Sequence, residues 1–296
     1  MSTDFNAGLA AHLAAGVTTV CHAWAITRRD GKVFAFTDHD GPLAFAGYEF
    51  RADTGLSALA LAQTTGLSVD NSEALGALSD ASLREDEIEQ GRFDDAEVRG
   101  WLVNWADTAQ HWLNFRGTLG ELTRADGGFR AELRGLTEGL NQPLGRVYQK
   151  ACSAVLGDGS CRFDTSLPGY AQTLAVAQVT GARRFVWEQF EAFDTDWFTR
   201  GRLEVLDGPA KGLWSTIKSD RSEDGRRVIE LWEPVRGPVG TGTQVRLVAG
   251  CDKRVQTCRL KFNNFDNYQG FPDLPGEDWV VSVPGSTKAN TGGSRR

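Results

Sequence analysis

The chain has 296 residues, 41% of them hydrophobic and 24% charged, which is ordinary for a soluble globular protein with room for two modest domains. The formal net charge of -7 argues against a protein built to coat nucleic acid. No apolar run approaches the roughly 20 residues of a membrane span, and the N-terminus lacks the cationic start of a secretory signal. We therefore expect no membrane insertion by this chain.

The first half of the chain has the pattern of short strands joined by tight turns. The 34 glycines and the 10% of aromatic residues suit such a fold. Apolar residues alternate on both sides of turns at Asp30-Gly31 and Ala46-Gly47, which predicts two β-hairpins. A further hairpin is predicted around Asp126-Gly127, between two segments with strand-like alternation.

Three segments of the first half predict helical or irregular structure instead. The acidic segment Asp80–Gln90 predicts a short helix, because Ser82 and Glu85 have the spacing of a capping box. A second helical turn is predicted at Asp94–Arg99, and Thr137–Lys150 is predicted to be helical or irregular. The expected fold class is therefore mainly β with short helices.

The second half of the chain returns to a β pattern. Strands are predicted at Leu174–Val179, Phe198–Val205, Gly212–Lys218, Arg227–Glu233 and Val245–Leu247. After the last of these, the chain enters a polar segment that is rich in glycine and proline. Leu260 and Phe262 are predicted to anchor this segment by alternating into the core.

Composition divides the chain into three parts. From Ser282 onward it lacks apolar content, which predicts a disordered tail. The boundary between the two β-rich parts is placed near Asp164–Pro168. We therefore predict an N-terminal β-rich domain at 1–165, a C-terminal β domain at 166–278 and a flexible tail at 279–296.

Four of the five cysteines form two pairs, which are separated by about ninety residues. Cys152 and Cys161 have eight residues between them, and Cys251 and Cys258 have six. In a reducing cytosol clustered cysteines bind metal more often than they form disulfides, and soft thiolates suit zinc or an iron–sulfur cluster. Structural zinc usually takes cysteines about two to four residues apart, so the wider spacing favours a cluster, which holds its ligands farther apart. Two disulfides or four inert thiols are the alternatives.

Two other motifs invite a catalytic interpretation. Asp38-His39-Asp40 places carboxylates beside a histidine that could act as a base, yet it directly precedes Gly41-Pro42, so we predict a turn. Cys21 and His22 are neighbours on a predicted strand and face opposite sides of it, so they cannot pair as nucleophile and base. Cys21 is predicted to be a half-buried strand cysteine.

Two segments resemble the signature of the tail-tip baseplate hub proteins of long-tailed bacteriophages and gene transfer agents, a family that includes the minor tail protein L of phage lambda. They are CSAVLGDGSC at 152–161 and GCDKRVQTCRLKFNNFDNYQGFPDLPG at 250–276. The second is the more specific, because its Cys-x6-Cys is followed by Lys261-Phe262-Asn263-Asn264, Gly270-Phe271-Pro272 and Pro275-Gly276. The segment FAFTDHDGPLAFAGYEFRA at 34–52 is also similar, so the resemblance covers most of the chain.

The resemblance implies a non-enzymatic structural protein with a [4Fe-4S] cluster. The residues that match the cluster ligands of the family are Cys152, Cys161, Cys251 and Cys258. Such a cluster would join the two β-rich domains by linking distant loops, as a disulfide does, while remaining compatible with a reducing cytosol. The gap between the two pairs looks longer than in lambda's protein, which implies an inserted β module.

The resemblance also implies a location and partners. We expect the chain at the tail tip of a phage-like particle assembled in the bacterial cytoplasm. There it would form a homotrimer between the distal tail protein and a central, megatron-like fibre protein with its tail-tip peptidase. DNA would pass transiently through the lumen of this ring, and the net charge of -7 is consistent with that passage. The alternatives are a soluble iron–sulfur or zinc redox enzyme and a tail-associated hydrolase that uses Cys21.

Overall fold

The structure, a computed structural model, describes residues 5–52, 71–75, 84–125, 128–136, 145–190 and 193–274. The chain divides into two compact units, Met1–Leu144 and Gly145–Arg296. Both units are built mainly from antiparallel strands, so the predicted fold class of mainly β with short helices is confirmed. No helix within the described ranges is long and apolar enough to cross a membrane.

The position of the division differs from the predicted one. The predicted boundary at residue 165 lies inside the second unit, which begins at Gly145. Backbone hydrogen bonds tie the segment after Gly145 to the C-terminal part of this unit, for example from the N–H of Phe271 to the carbonyl of Gln149 (2.9 Å). All four paired cysteines therefore lie within one unit, whereas we expected their site to join two domains. The predicted tail at 279–296 lies outside the described residues.

The first unit contains a six-stranded antiparallel sheet, a separate hairpin and two short helices. In chain order its elements are α1 (Ala7–Ala14), β1 (Val20–Thr27), β2 (Val33–Thr37), β3 (Leu43–Phe45), β4 (Tyr48–Phe50), β5 (Asn71–Leu75), α2 (Glu85–Glu89), β6 (Glu97–Asn104), β7 (His111–Ala125) and β8 (Gly128–Gly135). The strand order in the sheet is β2-β1-β6-β7-β8-β5. The hairpins predicted at Asp30-Gly31 and Ala46-Gly47 are confirmed as β1–β2 and β3–β4. The third predicted hairpin is β7–β8, whose turn residues 126 and 127 lie outside the described residues.

Strand β1 is buried on both faces of this sheet. Trp24 and Ile26 belong to a hydrophobic cluster on one face, and Ala23 and Ala25 belong to a second cluster that includes Trp101 on the other. Successive side chains of a strand point to opposite faces, so alternating large and small residues fill two different cores. Burial on both faces explains why the central residues of β1, Ala23 to Ile26, are all apolar.

The acidic region forms less helix than predicted. Helix α2 is capped by the backbone of Arg84 without a side-chain hydrogen bond, and Ser82 of the predicted capping box lies outside the described residues. The helical turn predicted at Asp94–Arg99 is wrong, because β6 begins at Glu97 and buries Val98 between β1 and β7. Pairing with β7 and with the distant strand β1 overrides the local preference of the acidic residues. Residues 145–150 of the segment predicted to be helical or irregular are irregular.

The second unit contains a seven-stranded antiparallel sheet that is followed by a short helix and a 3-10 turn. Its elements are β9 (Ala171–Ala175), β10 (Gln178–Thr180), β11 (Arg184–Trp187), β12 (Arg202–Val205), β13 (Trp214–Glu223), β14 (Arg226–Leu231), β15 (Gln244–Val248), α3 (Val255–Leu260) and the 3-10 turn (Phe265–Asn267). The strand order is β10-β11-β14-β13-β12-β15-β9. All five predicted strands correspond to observed ones with shifted ends, and the first is split into β9 and β10.

A buried ion pair holds the segment 193–198 against this sheet. The side chains of Asp220 and Arg227 are 0% and 5% exposed and lie on the adjacent strands β13 and β14. Arg227 donates a hydrogen bond to the carbonyl of Phe193 (2.9 Å), and the carboxylate of Asp220 accepts one from the N–H of Phe198 (2.9 Å). The segment that this pair holds carries Trp197, whose carbonyl accepts a hydrogen bond from Nζ of Lys261 (2.6 Å).

Candidate metal centre

The four paired cysteines line a single cleft of the second unit. Cys152, Cys161, Cys251 and Cys258 all contribute to its wall. None of the four forms a disulfide. The two pairs that were predicted to act together are thus brought together, although about ninety residues separate them in the chain.

Asp158 shapes the first cysteine loop, residues 152–161. Its carboxylate accepts backbone N–H groups from Val155 (2.8 Å), Ser160 (2.9 Å) and Cys161 (2.6 Å). The N–H of Cys161 is the main reason why the pKa of Asp158 lies below its usual range. Gly157 turns the chain with φ +85°, a region that glycine enters without strain. The sequence Gly-Asp-Gly between the cysteines therefore curls the loop and aims Cys161 into the cleft.

The second cysteine loop, residues 251–258, begins at a very close approach of two backbones. A Cβ atom on Gly250 would lie 1.7 Å from the carbonyl oxygen of Thr199, so only glycine fits immediately before Cys251. The loop then enters α3, and the N–H of Cys258 donates to the carbonyl of Arg254 (3.1 Å). Cys258 is consequently held on a helix, whereas the sequence had suggested an irregular segment.

The helix also changes which side chains anchor this segment. Phe262 is buried (4% exposed) as predicted, whereas Leu260 is 82% exposed, contrary to prediction. The prediction assumed the two-residue alternation of a strand, but Leu260 is the last residue of a helix, where that period does not apply. Phe262 packs against Phe163 and Tyr170, with ring centroids 5.0 and 5.7 Å away, and this aromatic group forms the floor below the cleft.

Residues that follow α3 bind the first cysteine loop. The side-chain amide of Asn264 donates to the carbonyl of Cys161 (2.7 Å). The hydroxyl of Tyr268 lies 2.7 Å from the carbonyl of Lys150 and 3.1 Å from that of Lys253. The backbone N–H of Gln269 points at the sulfur of Cys152 (3.4 Å). The stretch that resembles the family signature is therefore the stretch that joins the two loops.

Burial favours the protonated form of two thiols of this cleft, those of Cys251 and Cys258. Burial is the main cause that raises the pKa of Cys258 to about 11, and the neighbouring Cys251, Cys152 and Cys161 raise it further. Burial also raises the pKa of Cys251. Metal ligation requires thiolates, and a bound metal ion deprotonates a coordinating thiol. We therefore expect loading of this site to release protons and to depend on pH.

A half-buried ammonium group lies beside the cleft. Lys261 donates from Nζ to the carbonyl groups of Trp197 (2.6 Å) and Gly250 (3.0 Å), and it sits 4.2 Å from the centroid of the Trp197 ring. Burial lowers the pKa of Lys261, and the sulfur of Cys251 opposes that shift. Lys261 thus ties the segment 193–198 to the start of the second loop and places positive charge near thiol groups.

Two kinds of metal group suit four cysteine sulfurs, a single zinc ion and an iron–sulfur cluster. A tetrahedral zinc site has Zn–S bonds of about 2.3 Å, so its sulfurs lie within about 3.8 Å of one another. Within the described ranges, no group of three or more His, Cys, Asp or Glu side chains is arranged to hold a single metal ion. Four cysteine sulfurs line one cleft, and two of them face N–H groups. Sulfur donors of this kind are the ones that iron–sulfur clusters take as ligands. Ligation by these cysteines stays a prediction.

The other candidate residues lie in the first unit and form no catalytic arrangement with each other. Cys21 is 7% exposed, its sulfur contacts the hydroxyl of Thr37 (3.8 Å), and burial raises its pKa to about 11. His22 pairs instead with Asp38 (Nδ1–Oδ2 3.0 Å), and this hydrogen bond is the main cause that raises the pKa of His22. His39 bonds through Nδ1 to the backbone of the turn that follows it. A buried, protonated thiol without a neighbouring base is a poor nucleophile.

The sequence analysis did not identify the residues that organise the cleft through hydrogen bonds and are not themselves candidate ligands. Asp158, Asn264, Tyr268 and Lys261 were not predicted as site residues. Asp158 lies in a Gly-Asp-Gly turn, and the other three lie in the segment with the specific signature, so their positions did contain a signal. The roles of Asn264 and Tyr268 depend on hydrogen bonds across more than one hundred residues, which spacing within a segment cannot reveal.

Comparison with known proteins places the chain in a family. Residues 6–164 match the family described as baseplate hub protein, N-terminal attachment domain, and residues 196–278 match a family described as phage conserved hypothetical protein BR0599. No curated protein matches the chain. The chain is also similar to a chain of a solved structure that is described as the virion of a native gene transfer agent particle. The two chains are 52% identical, and they superpose with a TM-score of 0.89 over 97% of this chain and 99% of the other. The chain belongs to the baseplate hub protein family.

Proposed function

We propose that the chain is the hub of the tail tip of a gene transfer agent particle and that it acts as a structural virion component, not as an enzyme. The observation that carries this proposal is the 52% identity to a chain of a gene transfer agent virion, which extends over 97% of this chain. The match of residues 6–164 to the hub attachment domain supports the same role. The particle would be assembled in the bacterial cytoplasm.

We further propose that Cys152, Cys161, Cys251 and Cys258 hold a [4Fe-4S] cluster, with zinc the less favoured metal. When bound, the cluster supplies four iron–sulfur links between the two loops. The chain prepares the ligands on its own, because Asp158 curls the first loop and helix α3 holds the end of the second. Closing so long a loop removes conformational entropy from the unfolded chain. The proposed role of the cluster is therefore to stabilise the second unit.

The third part of the proposal concerns assembly. The chain would form a homotrimeric ring between the distal tail protein and the central, megatron-like fibre protein with its tail-tip peptidase, and DNA would pass transiently through its lumen. Trp105, Trp214 and Trp232 are 42%, 58% and 56% exposed, and exposed tryptophans are typical of subunit contacts. These three side chains are the ones we expect to be covered in the particle.

The cluster is tested by anaerobic purification followed by visible absorption spectroscopy and analysis of iron, acid-labile sulfide and zinc. We expect a brown protein with about four irons and four sulfides per chain. Cys161→Ser and Cys258→Ser should lose the colour. Cys21→Ala is the matched control, because this cysteine lies in the other unit. Colourless wild-type protein with one zinc per chain would overturn the cluster and leave the hub role standing.

The ring is tested by mass photometry and by copurification. Three chains of 32.3 kDa give a particle of about 97 kDa, and its mass should not change with concentration. The distal tail protein, when coexpressed, should copurify with it. A monomer at every concentration, with no binding of the distal tail protein, would overturn the assembly. Turnover of a small substrate with reversible reduction of a dye would favour a redox enzyme instead.

A further inference from the structure

We infer that Asn264 is a positioning residue of the cysteine cleft, which links one cysteine of each pair and directs an N–H group onto the sulfur of Cys161. This inference rests on the proposed cluster, since it concerns the sulfur atoms that would hold it. Asn264 itself would not bind iron. Its side-chain amide would orient Cys161 and set the electron density on that sulfur, while its backbone N–H holds Cys258.

The contacts of Asn264 reach both cysteine pairs. Its Nδ2 atom lies 2.7 Å from the carbonyl oxygen and 3.5 Å from the sulfur of Cys161. A primary amide has two N–H donors, so both contacts can be made together. The backbone N–H of Asn264 donates to the carbonyl of Cys258 (3.0 Å). One residue therefore couples the end of the first loop to the end of the second.

A neighbouring amide determines which way the Asn264 side chain points. Asn267 donates from Nδ2 to Oδ1 of Asn264 (2.7 Å). Reversing the amide of Asn264 would bring two NH₂ groups together and would place Oδ1 against the carbonyl oxygen of Cys161. Both contacts would be repulsive, so the hydrogen-bond network assigns the NH₂ group to the side of Cys161.

An N–H group aimed at a ligand sulfur has a known electronic effect. Hydrogen bonds to cluster sulfurs are among the factors that set the reduction potential of an iron–sulfur cluster, and partners of metal ligands also orient them. In the first loop, the N–H of Gln269 faces the sulfur of Cys152 (3.4 Å) and the amide of Asn264 faces that of Cys161 (3.5 Å). Only the second donor belongs to a side chain, so a substitution can remove it.

The substitution Asn264→Asp tests this inference with almost no change in shape. It replaces two donors by an acceptor oxygen and adds a negative charge near the sulfur of Cys161. Asn263→Asp is the matched control, because Asn263 is the adjacent residue, is exposed and undergoes the same change of charge. Asn263 has φ +46°, a conformation that aspartate tolerates as asparagine does. Both variants are to be purified anaerobically with the cluster in place.

The measurements are a dye-mediated redox titration, followed by electron paramagnetic resonance, and the rate of iron loss to a chelator. For Asn264→Asp we expect reduction to become about tenfold less favourable, a midpoint about 59 mV lower for one electron. Iron loss should be about 10- to 100-fold faster. Asn263→Asp should match the wild type in both. If Asn264 only holds the two loops together, a different result is expected. Asn264→Asp then loses part of its cluster, but the clusters that remain keep the wild-type midpoint. That outcome would overturn the electronic part of the inference.

Two further measurements keep the inference testable under other outcomes. If Asn264→Asp does not fold, Asn267→Ala leaves Asn264 in place but frees its amide to rotate, and a smaller downward shift of the midpoint is expected. If wild-type protein contains no iron, the cluster proposal fails by itself. The positioning role is then read from the metal-free chain, where Asn264→Asp should slow alkylation of Cys161 about tenfold relative to Asn263→Asp, because the added negative charge disfavours the reactive thiolate. Equal alkylation rates in the two variants would overturn it.

Discussion

The substitution Gly250→Ala tests the claim that a close backbone approach positions Cys251. The added Cβ would lie 1.7 Å from the carbonyl oxygen of Thr199 and 2.9 Å from the backbone nitrogen of Gly201. Real Cβ contacts essentially never fall below 3.0 Å, so the backbones must separate by at least 3.0 − 1.7 = 1.3 Å. Neither neighbour is a flexible side chain that could give way.

The expected cost follows from this displacement. Overpacking of a core typically costs about 1–3 kcal/mol and occasionally more, and a rigid backbone contact belongs at the upper end. For a unit of this size about 3 kcal/mol corresponds to a fall in melting temperature of about 6–12 °C. Metal sites tolerate distance errors of only about 0.2 Å, so a movement of this size next to Cys251 should also abolish retention of the cluster.

The assay is differential scanning calorimetry of the full-length, metal-free chain, combined with iron analysis of the anaerobically purified protein. Gly240→Ala is the matched control, because a Cβ at Gly240 meets no atom within 4 Å and the residue does not require a positive φ. We expect a wild-type melting temperature and full iron content for this control. The reasoning is refuted if Gly250→Ala melts within about 1 °C of Gly240→Ala and binds as much iron.

Three further predictions concern individual side chains. Arg227→Met should destabilise the second unit by about 3–5 kcal/mol, because it leaves the fully buried Asp220 without its partner. Urea denaturation measures the free energy of unfolding, and a loss below about 1 kcal/mol would contradict the prediction. Burial raises the pKa of Cys21 from 9.0 to about 11, so the contribution of this thiol to stability is present below pH 9 and is lost as the pH rises to 11. Cys21→Ala should therefore lessen the fall in unfolding free energy between pH 9 and pH 11. An unchanged pH profile would count against this prediction. Asp158→Ala should weaken iron retention about tenfold, whereas Asp158→Asn should retain more iron because it keeps one acceptor oxygen. Equal iron release rates in the two variants would show that the carboxylate does not organise the loop.

Local patterns predicted the secondary structure well where neighbours in the chain decide it. The hairpins at Asp30-Gly31 and Ala46-Gly47 depend on a turn and on the residues beside it, and both formed as predicted. The segment Asp94–Arg99 is rich in acidic residues, but Val98 is buried between the following strand β7 and strand β1, which is distant in sequence. The prediction therefore failed where long-range pairing outweighed local preference.

The sequence by itself determined the class of site: four cysteines of soft donor chemistry, in two spaced pairs, within a segment that resembles the hub family. It could not determine that the first pair belongs to the second unit, because that depends on hydrogen bonds such as the one from Asn264 to Cys161. Nor could it reveal that Cys258 lies on a helix or that Leu260 faces solvent. The tertiary structure decided the first point because its hydrogen bonds join residues that are remote in the chain. Helix α3 has only six residues, too few for a helical pattern to show in the sequence.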